Sequence, residues 1–558
     1  MAKYVYGIDL GTTYSCIAYQ DEDGRPSVVK NLDTNSNTTP SVVQFDDDGN
    51  VLVGEEAKDT SVLAPSRTAM FVKQLMGKSD VAIEADGKSY SPIEISSLIL
   101  KELARQAKEQ LDDDVRDVII TCPAYFGESE RTATKQAGQL AGLNVLAVIE
   151  EPTAAAICYG VTRADSDKTV MVYDLGGGTF DITVLKISNG EVRVVTTEGD
   201  HELGGKKWDE QMSQLLADKF IEATGYEGDP FDEEDVDGNE EFLQDLAVKA
   251  ERAKQTLSNR DVVKQMLTYN GAGPIKVEVT RQEFEDATKF LADSALSLAE
   301  KAVATAGGID NIDEILLVGG STKMPQIKEG VQARFNMEPK MFDPDEAVAK
   351  GAAIFAMLQA DEQSKLRDNE EKQVDDDGQE VAVNTETGEK RVLPTLSGAG
   401  SAMPTLGGGA PKLRVVSVST KSFGIEANDP ADNQKKVFNL IKKDDEIPVS
   451  VTQVFGTQED NQTTVEIRVY QTPDKVDNYP VDEDRFLGTA ELTLNPNTPR
   501  NSRISITLEL TSEGTVQMHA KDETSGKEID AKWKPENVLD EKEFEEAKAR
   551  VAATGLSA

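Results

Sequence analysis

The chain has 558 residues, more than one hydrophobic core usually supports, so we expect two or more domains. It carries 59 basic and 101 acidic side chains, which give a formal net charge of −42. Such a surface repels phosphate backbones and anionic lipids, so neither nucleic acid nor a membrane is expected as a partner.

Few residues are suited to metal or redox chemistry. The three cysteines, Cys16, Cys122 and Cys158, are widely separated in apolar stretches, which predicts buried thiols. The only histidines, His201 and His519, argue against a histidine-rich zinc site and against a histidine-based triad. No apolar run reaches membrane-spanning length, and the first residues lack the pattern of a signal peptide, so we expect a cytoplasmic protein.

Residues 1–360 alternate between strand-like and helix-like stretches. Residues 115–121 (VRDVIIT) are typical of a buried strand. Residues 95–110 carry apolar side chains at helical spacing, which predicts a helix. This alternation is typical of an α/β domain, and we assign residues 1–360 to it.

The pattern breaks over residues 361–412. No aromatic residue occurs between Phe355 and Phe423, and the stretch is first acidic and then rich in Gly, Ser, Ala and Pro. Because few of these side chains could fill a core, we expect a disordered or mobile linker.

From residue 413 the hydrophobic period changes to two. Residues 464–470 and 504–510 alternate between apolar and polar side chains, as strands with one buried face do. We therefore expect a small antiparallel β domain over residues 413–535. A single acidic helix is predicted over residues 540–554, with Asp540 at its N-cap.

Two segments of the α/β region resemble each other. Residues 5–13 (VYGIDLGTT) and residues 171–179 (MVYDLGGGT) each contain an apolar strand, then Asp-Leu-Gly, then a turn of Gly or Thr. One such turn alone is an ordinary hairpin signal. Two of them at equivalent positions predict two lobes that present their turns to one ligand.

The residue types at these turns suit a metal-bound polyphosphate. Glycine lets backbone N–H groups approach an anion, and the hydroxyls of Thr12, Thr13 and Thr179 add donors. A carboxylate at each strand end, Asp9 and Asp174, can hold the inner-sphere waters of Mg²⁺. The sequence therefore predicts a magnesium–nucleotide site between the lobes.

A third glycine pair, Gly319 and Gly320, follows an apolar strand and precedes Ser321. Such a pair can be an ordinary turn between a strand and a helix. It can also form a floor for an adenosine, because only glycine lets a ring system lie on the backbone. Both interpretations stay open at this point.

The order of these motifs resembles the DnaK-type 70-kDa heat-shock chaperone family. The resemblance implies an α/β, actin-like, two-lobed ATPase domain with duplicated ribonuclease-H-like lobes, followed by a small antiparallel β-sandwich. The segments that carry it are residues 7–15, 123–126, 151–156, 174–181 and 318–322, and in the β region residues 453–455, 459–462 and 525–528.

The resemblance also implies roles at matching positions. Asp9, Asp174 and Asp181 would order Mg²⁺, K⁺ and the attacking water. Lys73 would reach the γ-phosphate region, and Glu151 would contact the waters of the metal. The phosphates would be held by Thr12, Thr13, Gly176, Gly177, Gly178 and Thr179, and the adenosine by Glu251, Lys254, Ser258, Gly319, Gly320 and Ser321, with Asp345 at its end of the pocket. Gly11, Tyr14, Gly204, Gly205 and Lys323 are also expected to bind ATP or ADP.

For the β domain, the resemblance implies a groove that binds an extended hydrophobic peptide through backbone hydrogen bonds and one apolar pocket. The matching pocket positions are Ile425, Phe455, Val465, Ile467 and Ile504. For any one of them, a place in the core of the sandwich is at least as good an interpretation. The arch over the groove is apolar in the family and matches Asn428 and Gln458 here, so we expect more polar peptides.

The adenine site departs from the family pattern. The family holds adenine between two arginine side chains, and the matching positions here are Gln255 and Lys323. Glutamine has no guanidinium plane for stacking. We therefore expect weaker nucleotide binding than is usual in the family.

The elements that couple the domains depart as well. Pro123 and Arg131 match a switch that reports the nucleotide state to the second domain. In the linker strand, residues 413–419, the family's acidic residue has become Ser417, and an arginine that receives a J-domain cochaperone has become Ala147. These changes argue against a J-domain partner and against strong coupling, while a nucleotide-exchange factor stays a candidate partner. The helical lid of the family has no counterpart in the sequence, so we expect a divergent, lidless member.

Three functions remain in view. The leading interpretation is an ATP-dependent chaperone that hydrolyses ATP and binds unfolded or extended peptide segments. An ATP-switched binding or scaffold protein without a refolding cycle is the second, and a small-molecule kinase of the actin-like fold is the third. Stimulation of hydrolysis by peptide separates the first from the second, and the β-sandwich argues against the third.

Overall fold

The computed structural model of the chain describes two α/β lobes, a β-sandwich and a final helix. The described residues are 4–21, 23–32, 34–46, 50–161, 167–188, 191–226, 231, 236–269, 272–364, 370–374, 380–384, 390–392, 414–429, 431–511, 514–533 and 537–556. No helix within these ranges is both long and apolar enough to cross a membrane. All three cysteines are buried free thiols, as predicted.

The first lobe is a mixed sheet flanked by helices. Its elements are β1 (Tyr6–Asp9), β2 (Tyr14–Gln20), β3 (Pro26–Val28), β4 (Thr39–Pro40), β5 (Val43–Phe45), β6 (Val51–Val53), α1 (Glu55–Thr60), β7 (Thr68–Ala69), β8 (Ile83–Ala85), β9 (Lys88–Tyr90), α2 (Pro92–Leu111), β10 (Asp117–Cys122), α3 (Glu128–Leu140) and β11 (Asn144–Glu150). The sheet order is β11-β10-β1-β2-β3, in which β1 and β2 form an antiparallel hairpin and β10 runs parallel to β1. The predicted helix and strand at 95–110 and 115–121 are present as α2 and β10.

Helix α2 begins three residues earlier than its apolar pattern predicts. Ser91 and Glu94 form a capping box, in which each side chain accepts a hydrogen bond from the other residue's backbone N–H. Pro92 occupies the first turn, where no N–H is needed. The start of the helix is therefore set by capping rather than by its buried face.

The second lobe repeats the arrangement of the first. Its elements are α4 (Glu151–Val161), β12 (Lys168–Leu175), β13 (Phe180–Ser188), β14 (Glu191–Asp200), α5 (Gly205–Thr224), α6 (Val236–Leu257), β15 (Val262–Tyr269), β16 (Ala272–Thr280), α7 (Arg281–Thr305), β17 (Glu314–Val318), α8 (Pro325–Phe335), β18 (Lys340–Met341) and α9 (Ala347–Ser364). β12 pairs antiparallel with β13 and parallel with β17, as β1 does with β2 and β10. The two predicted hairpins are thus confirmed.

Helices α4 and α9 lie between the two sheets. They approach so closely that a Cβ on Gly351 would lie 1.7 Å from the carbonyl oxygen of Ala154. Around them, buried side chains from both lobes form one apolar cluster, which includes Ile119, Val172 and Leu316. The lobes therefore share a packed base.

The segment predicted as a linker, residues 361–412, contains regular structure that its composition did not predict. Helix α9 continues to Ser364, beyond the expected boundary at residue 360. A small antiparallel sheet follows, made of β19 (Glu370–Val374), β20 (Glu380–Asn384) and β21 (Lys390–Val392). Residues 365–369, 375–379, 385–389 and 393–412 of the predicted linker lie outside the described residues.

The C-terminal β region forms two packed sheets. Its strands are β22 (Arg414–Val418), β23 (Ser422–Asn428), β24 (Lys435–Ile441), β25 (Glu446–Ile447), β26 (Val449–Gly456), β27 (Thr464–Thr472), β28 (Asn478–Pro480), β29 (Phe486–Thr493), β30 (Arg503–Leu510), β31 (Val516–Asp522) and β32 (Glu528–Lys532). One sheet has the order β28-β24-β23-β27-β29 and the other β26-β30-β31-β32, with an apolar core between them.

Strand β22 does not belong to either of these sheets. It pairs parallel with β14, the edge strand of the second lobe, and antiparallel with the short strand β25. The seven-stranded sheet of the second lobe therefore continues through β22 into the β region. The sequence pattern grouped residue 413 onward with the sandwich because the period of a strand does not reveal its neighbour.

Polar contacts fix the C-terminal β region, including β22, against both lobes. Lys443 and Glu198 form an ion pair at 2.9 Å, with about a tenth of each side chain exposed. Thr196 donates a hydrogen bond to Asp444 at 3.2 Å. Ser417, for which the sequence offered no polar partner, donates to Glu150 at 3.3 Å.

The last helix, α10 (Glu541–Ala553), packs on α2 and α3 of the first lobe. Asp540 is its N-cap, as predicted, and forms a capping box with Glu543. Ala547 and Val551 are buried in the apolar core of the first lobe. The ion pair between Arg550 and Glu94, at 2.7 Å, lies beside this contact.

Candidate functional site

The two hairpins meet at a cleft between the lobes. Asp9 ends β1, and Asp174 lies one residue before the end of β12, so both carboxylates reach the base of the cleft. The cleft has a volume of about 750 Å³, enough for a nucleotide. The predicted site residues that line it are Asp9, Gly11, Thr12, Thr13, Tyr14, Lys73, Glu151, Asp174, Gly176, Gly177, Thr179, Glu251, Lys254, Ser258, Gly319, Gly320, Ser321, Lys323 and Asp345.

Four predicted residues, Gly178, Asp181, Gly204 and Gly205, are not among the lining residues. Gly204 lies directly behind the turn of the second hairpin, where a Cβ would come within 2.3 Å of the carbonyl carbon of Gly178. Gly205 donates its backbone N–H to the carbonyl of Gly176 at 2.9 Å. These glycines therefore support the turn from behind.

The turns of the two hairpins touch each other. A Cβ on Gly177 would lie 1.9 Å from the hydroxyl oxygen of Thr13, and one on Gly178 would lie 2.5 Å from Cγ2 of Thr12. The backbone of one lobe thus lies on the threonine side chains of the other. Such a close pair of turns presents N–H and O–H donors from both lobes to one anion.

Gly319 stands at a position that other residues would strain. Its φ is +83°, and a Cβ there would lie 2.5 Å from Oδ1 of Asp174. Ser321 then donates from Oγ to the carbonyl of Gly176 at 2.9 Å. This glycine turn is therefore joined to the second hairpin, which gives it a structural role in addition to any contact with a ligand.

The carboxylates at the base of the cleft are buried and close to one another. Burial, followed by repulsion from Glu151, raises the pKa of Asp9 to about 7. Burial and the same repulsion raise the pKa of Asp174 and of Asp181 well above the usual range. A cation placed among these groups would stabilise their charged forms.

Lys73 supplies the one cation that lies among these carboxylates in the described chain. Its ammonium forms a buried ion pair with Glu151, the first residue of α4. Burial opposes the charge on Lys73, but Glu151 and Asp9 outweigh it, and the pKa of Lys73 is raised. The lysine therefore stays protonated, and its ion pair with Glu151 fixes it in the cleft.

Side chains from both lobes meet over the outer part of the cleft. Lys58 of α1 forms an ion pair with Glu251 of α6 at 2.6 Å, and Tyr14 donates to the same carboxylate at 3.1 Å. Gln255, one turn along α6, also donates to Glu251, at 3.2 Å. Lys323 pairs with Asp345, and both residues line the cleft.

Several lining residues were missed by sequence reasoning. They are Ser36, Thr38, Asn259, Met324, Met341, Pro344 and Val348. Ser36 and Thr38 belong to a loop with no motif, and the methionines resemble ordinary core residues in the sequence. Gln74 was also missed, although it follows Lys73 and donates to the carbonyl of Gly178 at 2.9 Å.

The donor set fits magnesium held through its waters. Among the described residues, no group of three or more His, Cys, Asp and Glu could chelate a metal ion directly. Mg²⁺ usually keeps several waters and is held by one or two carboxylates plus phosphates, which matches Asp9 and Asp174. Among the described residues, Oδ1 of Asp181 is buried and has no hydrogen-bond partner, and a bound ion or water would satisfy it.

Asp9→Asn is expected to stabilise the nucleotide-free chain, and to do so more at pH 8 than at pH 6. Because the folded-state pKa of Asp9 is raised to about 7 from 3.8, the free energy of unfolding falls as the pH rises from 3.8 to about 7 and the buried carboxylate loses its proton. Thermal unfolding at both pH values measures the difference. Asp484→Asn, which changes an exposed carboxylate, is the control, and an equal effect of Asp9→Asn at both pH values would contradict the expectation.

The predicted peptide-binding residues are divided between the core and the surface of the sandwich. Ile425, Ile467 and Ile504 are only 1–2% exposed and belong to its apolar core. Phe455 and Val465 are half-buried at the edge of this core. Asn428 is half-buried and Gln458 is exposed. Phe455 and Val465 are therefore the apolar side chains of this set that are partly exposed.

The two residues predicted to weaken domain coupling differ in their surroundings. Ala147 lies in β11 and contributes no polar group. Glu150, at the end of the same strand, accepts both from Ser417 and from Arg131, the latter at 2.7 Å. Burial opposes its charge, but Arg131 outweighs it and the pKa of Glu150 is lowered, so the carboxylate is charged.

Comparison with known proteins identifies the family. The model of the family described as Hsp70 protein matches residues 5–370 and 403–554. The proteins named chaperone protein DnaK in Thermosipho melanesiensis and Thermotoga neapolitana are 37% and 36% identical to the chain over 536 residues, which cover 94% of this chain and 79% of each relative. The chain therefore belongs to the Hsp70 family, as the resemblance of its motifs predicted.

Proposed function

We propose that the chain is an ATP-dependent molecular chaperone, which hydrolyses Mg·ATP in the cleft and binds extended hydrophobic peptide segments in the sandwich. The observation that carries the proposal is the pair of strand-end carboxylates, Asp9 and Asp174, which line one cleft together with Lys73, a cation close enough to act on the pKa of both. Phosphoryl transfer to water needs mainly positioning and charge neutralisation, and this set provides both.

In this proposal the chain's own residues position the nucleotide and the water. Asp9 and Asp174 would hold the waters of Mg²⁺, which Glu151 would also contact, and the turns that contain Thr12, Thr13 and Thr179 would donate to the phosphates. Asp181 would orient the attacking water, and K⁺ would be an additional ion of the site. A bound Mg²⁺ would neutralise charge on the phosphates.

Gln255→Arg is expected to tighten ADP binding by about 3–10-fold, because a guanidinium plane can stack on the adenine where an amide cannot. Gln255 lines the cleft and already contacts Glu251, so an arginine there keeps an acidic neighbour. Isothermal titration with Mg·ADP measures the change. Gln265→Arg, on β15 and not among the lining residues, is the matched control, and an unchanged affinity in Gln255→Arg would contradict this assignment.

The decisive test is the ATPase rate with and without an unfolded hydrophobic peptide. Hydrolysis that accelerates with peptide supports the chaperone. Hydrolysis that ignores peptide points instead to an ATP-switched binding protein, and phosphate transfer only to an added small-molecule acceptor points to a kinase. Strand β22, which joins the sheet of the second lobe to the β region, favours the chaperone because it gives the cleft and the sandwich a shared element.

The proposed partners are those that an ATP-dependent chaperone would need. Unfolded or extended peptide segments are the substrates, and a nucleotide-exchange factor could act on the lobes that close the cleft. A J-domain cochaperone is not part of the proposal, because Ala147 contributes no charge beside the linker strand. The proposed location is the cytoplasm.

A further inference from the structure

The linker strand β22 ends beside a buried carboxylate. Ser417 donates from Oγ to Oε2 of Glu150 at 3.3 Å, and the other oxygen, Oε1, accepts from Arg131 at 2.7 Å. Arg131, in the first turn of α3, also donates from Nε to the carbonyl of Phe126 at 3.0 Å. The end of β11, the start of α3 and the linker strand therefore meet at one side chain.

The space around this contact is very small. A cavity of about 10 Å³ lies between Glu150, Ser417 and Thr153, and it could hold one water molecule at most. Oγ1 of Thr153 is buried there and has no hydrogen-bond partner among the described residues. A second carboxylate in this space could not keep its hydration shell, and it would face Glu150 directly.

We propose that Glu150 positions the linker strand β22 and determines which side chain can occupy position 417. A side chain that donates a hydrogen bond to Glu150 is accepted there, and one that carries a negative charge is excluded. Glu150, whose other carboxylate oxygen accepts from Arg131, is the charged partner of Ser417.

Glu150 also connects the linker to the cleft. The next residue in the chain is Glu151, which forms the buried ion pair with Lys73. A displacement of Glu151 would therefore move the acceptor of Ser417 through a single peptide bond. This coupling step rests on the proposed hydrolysis, whereas the docking of β22 on Glu150 does not.

Two substitutions of nearly equal size separate charge from volume. Ser417→Asn keeps a hydrogen-bond donor opposite Glu150, and Ser417→Asp replaces it with a carboxylate. In the nucleotide-free chain, amide exchange of residues 414–418, measured by mass spectrometry, reports the pairing of β22 with β14. We expect Ser417→Asp to exchange about 10²-fold faster than wild type, since it places an unpaired charge in a buried site. Ser417→Asn should stay within about 3-fold, because its hydrogen bond is retained.

A double variant tests the assignment to Glu150. Glu150→Gln combined with Ser417→Asp moves the negative charge from the lobe to the linker, where Arg131 and the glutamine amide can both donate to it. Exchange in the double variant should return to within about 10-fold of wild type. If it is as fast as in Ser417→Asp alone, or if Ser417→Asp exchanges as slowly as Ser417→Asn, the proposal is overturned. If Glu150→Gln prevents folding, the comparison of Ser417→Asp with Ser417→Asn decides, because neither of these two substitutions changes a residue of the lobe.

Fluorescence gives a second, independent reading. The chain has two tryptophans, and Trp208 is fully buried in the second lobe. Trp533 lines a cavity of about 160 Å³ that Phe126 and Arg131 also line. A red shift of the emission in Ser417→Asp but not in Ser417→Asn supports the proposal, and equal spectra argue against it. If the wild-type chain does not hydrolyse ATP while the exchange rates of the two variants still differ, the proposed hydrolysis fails and the docking contact stands.

Discussion

Lys73→Ala is expected to lower the rate of single-turnover ATP hydrolysis by about 10²–10³-fold, the usual effect of removing one preorganised electrostatic group. The ammonium of Lys73 is fixed by Glu151, and its side chain is only 7% exposed. Because its pKa is raised, it is charged over the whole neutral range. Single-turnover measurement separates this chemical step from product release.

The partner residue provides a test of the same unit. Glu151→Ala should lower the rate by a similar factor, and the double variant should lose little more than either single variant, because groups that act together are not additive. Lys168→Ala is the control: Lys168 pairs with Glu314, which is 10% exposed and lies outside the cleft. Unchanged single-turnover hydrolysis in Lys73→Ala would show that the assignment is wrong.

Gly204→Ala is expected to lower hydrolysis by about 10²-fold without changing any lining side chain, because a displacement of about 1 Å is enough for such a loss. The new Cβ would lie 2.3 Å from the carbonyl carbon of Gly178 and 2.5 Å from the backbone nitrogen of Thr179. Both neighbours are backbone atoms, so the turn itself must move. The backbone of Gly204 is extended, a conformation that alanine adopts without strain, so we expect the chain to fold.

The effect of Gly204→Ala is tested by measuring ADP binding and ATP hydrolysis in the same variant. ADP binding by calorimetry and single-turnover hydrolysis should both weaken, while the circular dichroism of the variant stays like that of the wild type. Gly555→Ala is the control, because a Cβ there meets nothing within 4 Å. Full activity in Gly204→Ala would mean that the turn does not need its present position.

The cleft could be predicted in large part from the sequence, because its chemistry is local. Asp9 and Asp174 each stand in a strand followed by a glycine or threonine turn, and this pattern encodes both the hairpin and the donors at its tip. Its repetition predicted that the two turns face one ligand. Ser36 and Thr38 were missed because the loop that brings them to the cleft has no pattern of its own.

Contacts between distant elements could not be predicted in this way. The sequence groups residues 414–418 with the strands of the β region, but it does not reveal that their partner is β14 rather than a strand of the sandwich. The same holds for Glu150 and Ser417, which belong to different domains and meet only because β22 joins that sheet. Alternation also cannot distinguish a residue that lines a peptide pocket from one in the core of the sandwich, since the side chain of Ile467 would point inward in both cases.

The position of α10 has a consequence for how the chain folds during synthesis. Val551 is buried among residues of the first lobe, and Leu556 forms a bridge with Val51, so the first lobe is completed by residues made about five hundred positions later. Contacts of such sequence separation form slowly and leave apolar surface uncovered on the ribosome until the last helix emerges. The nascent first lobe therefore presents an open apolar face for most of translation.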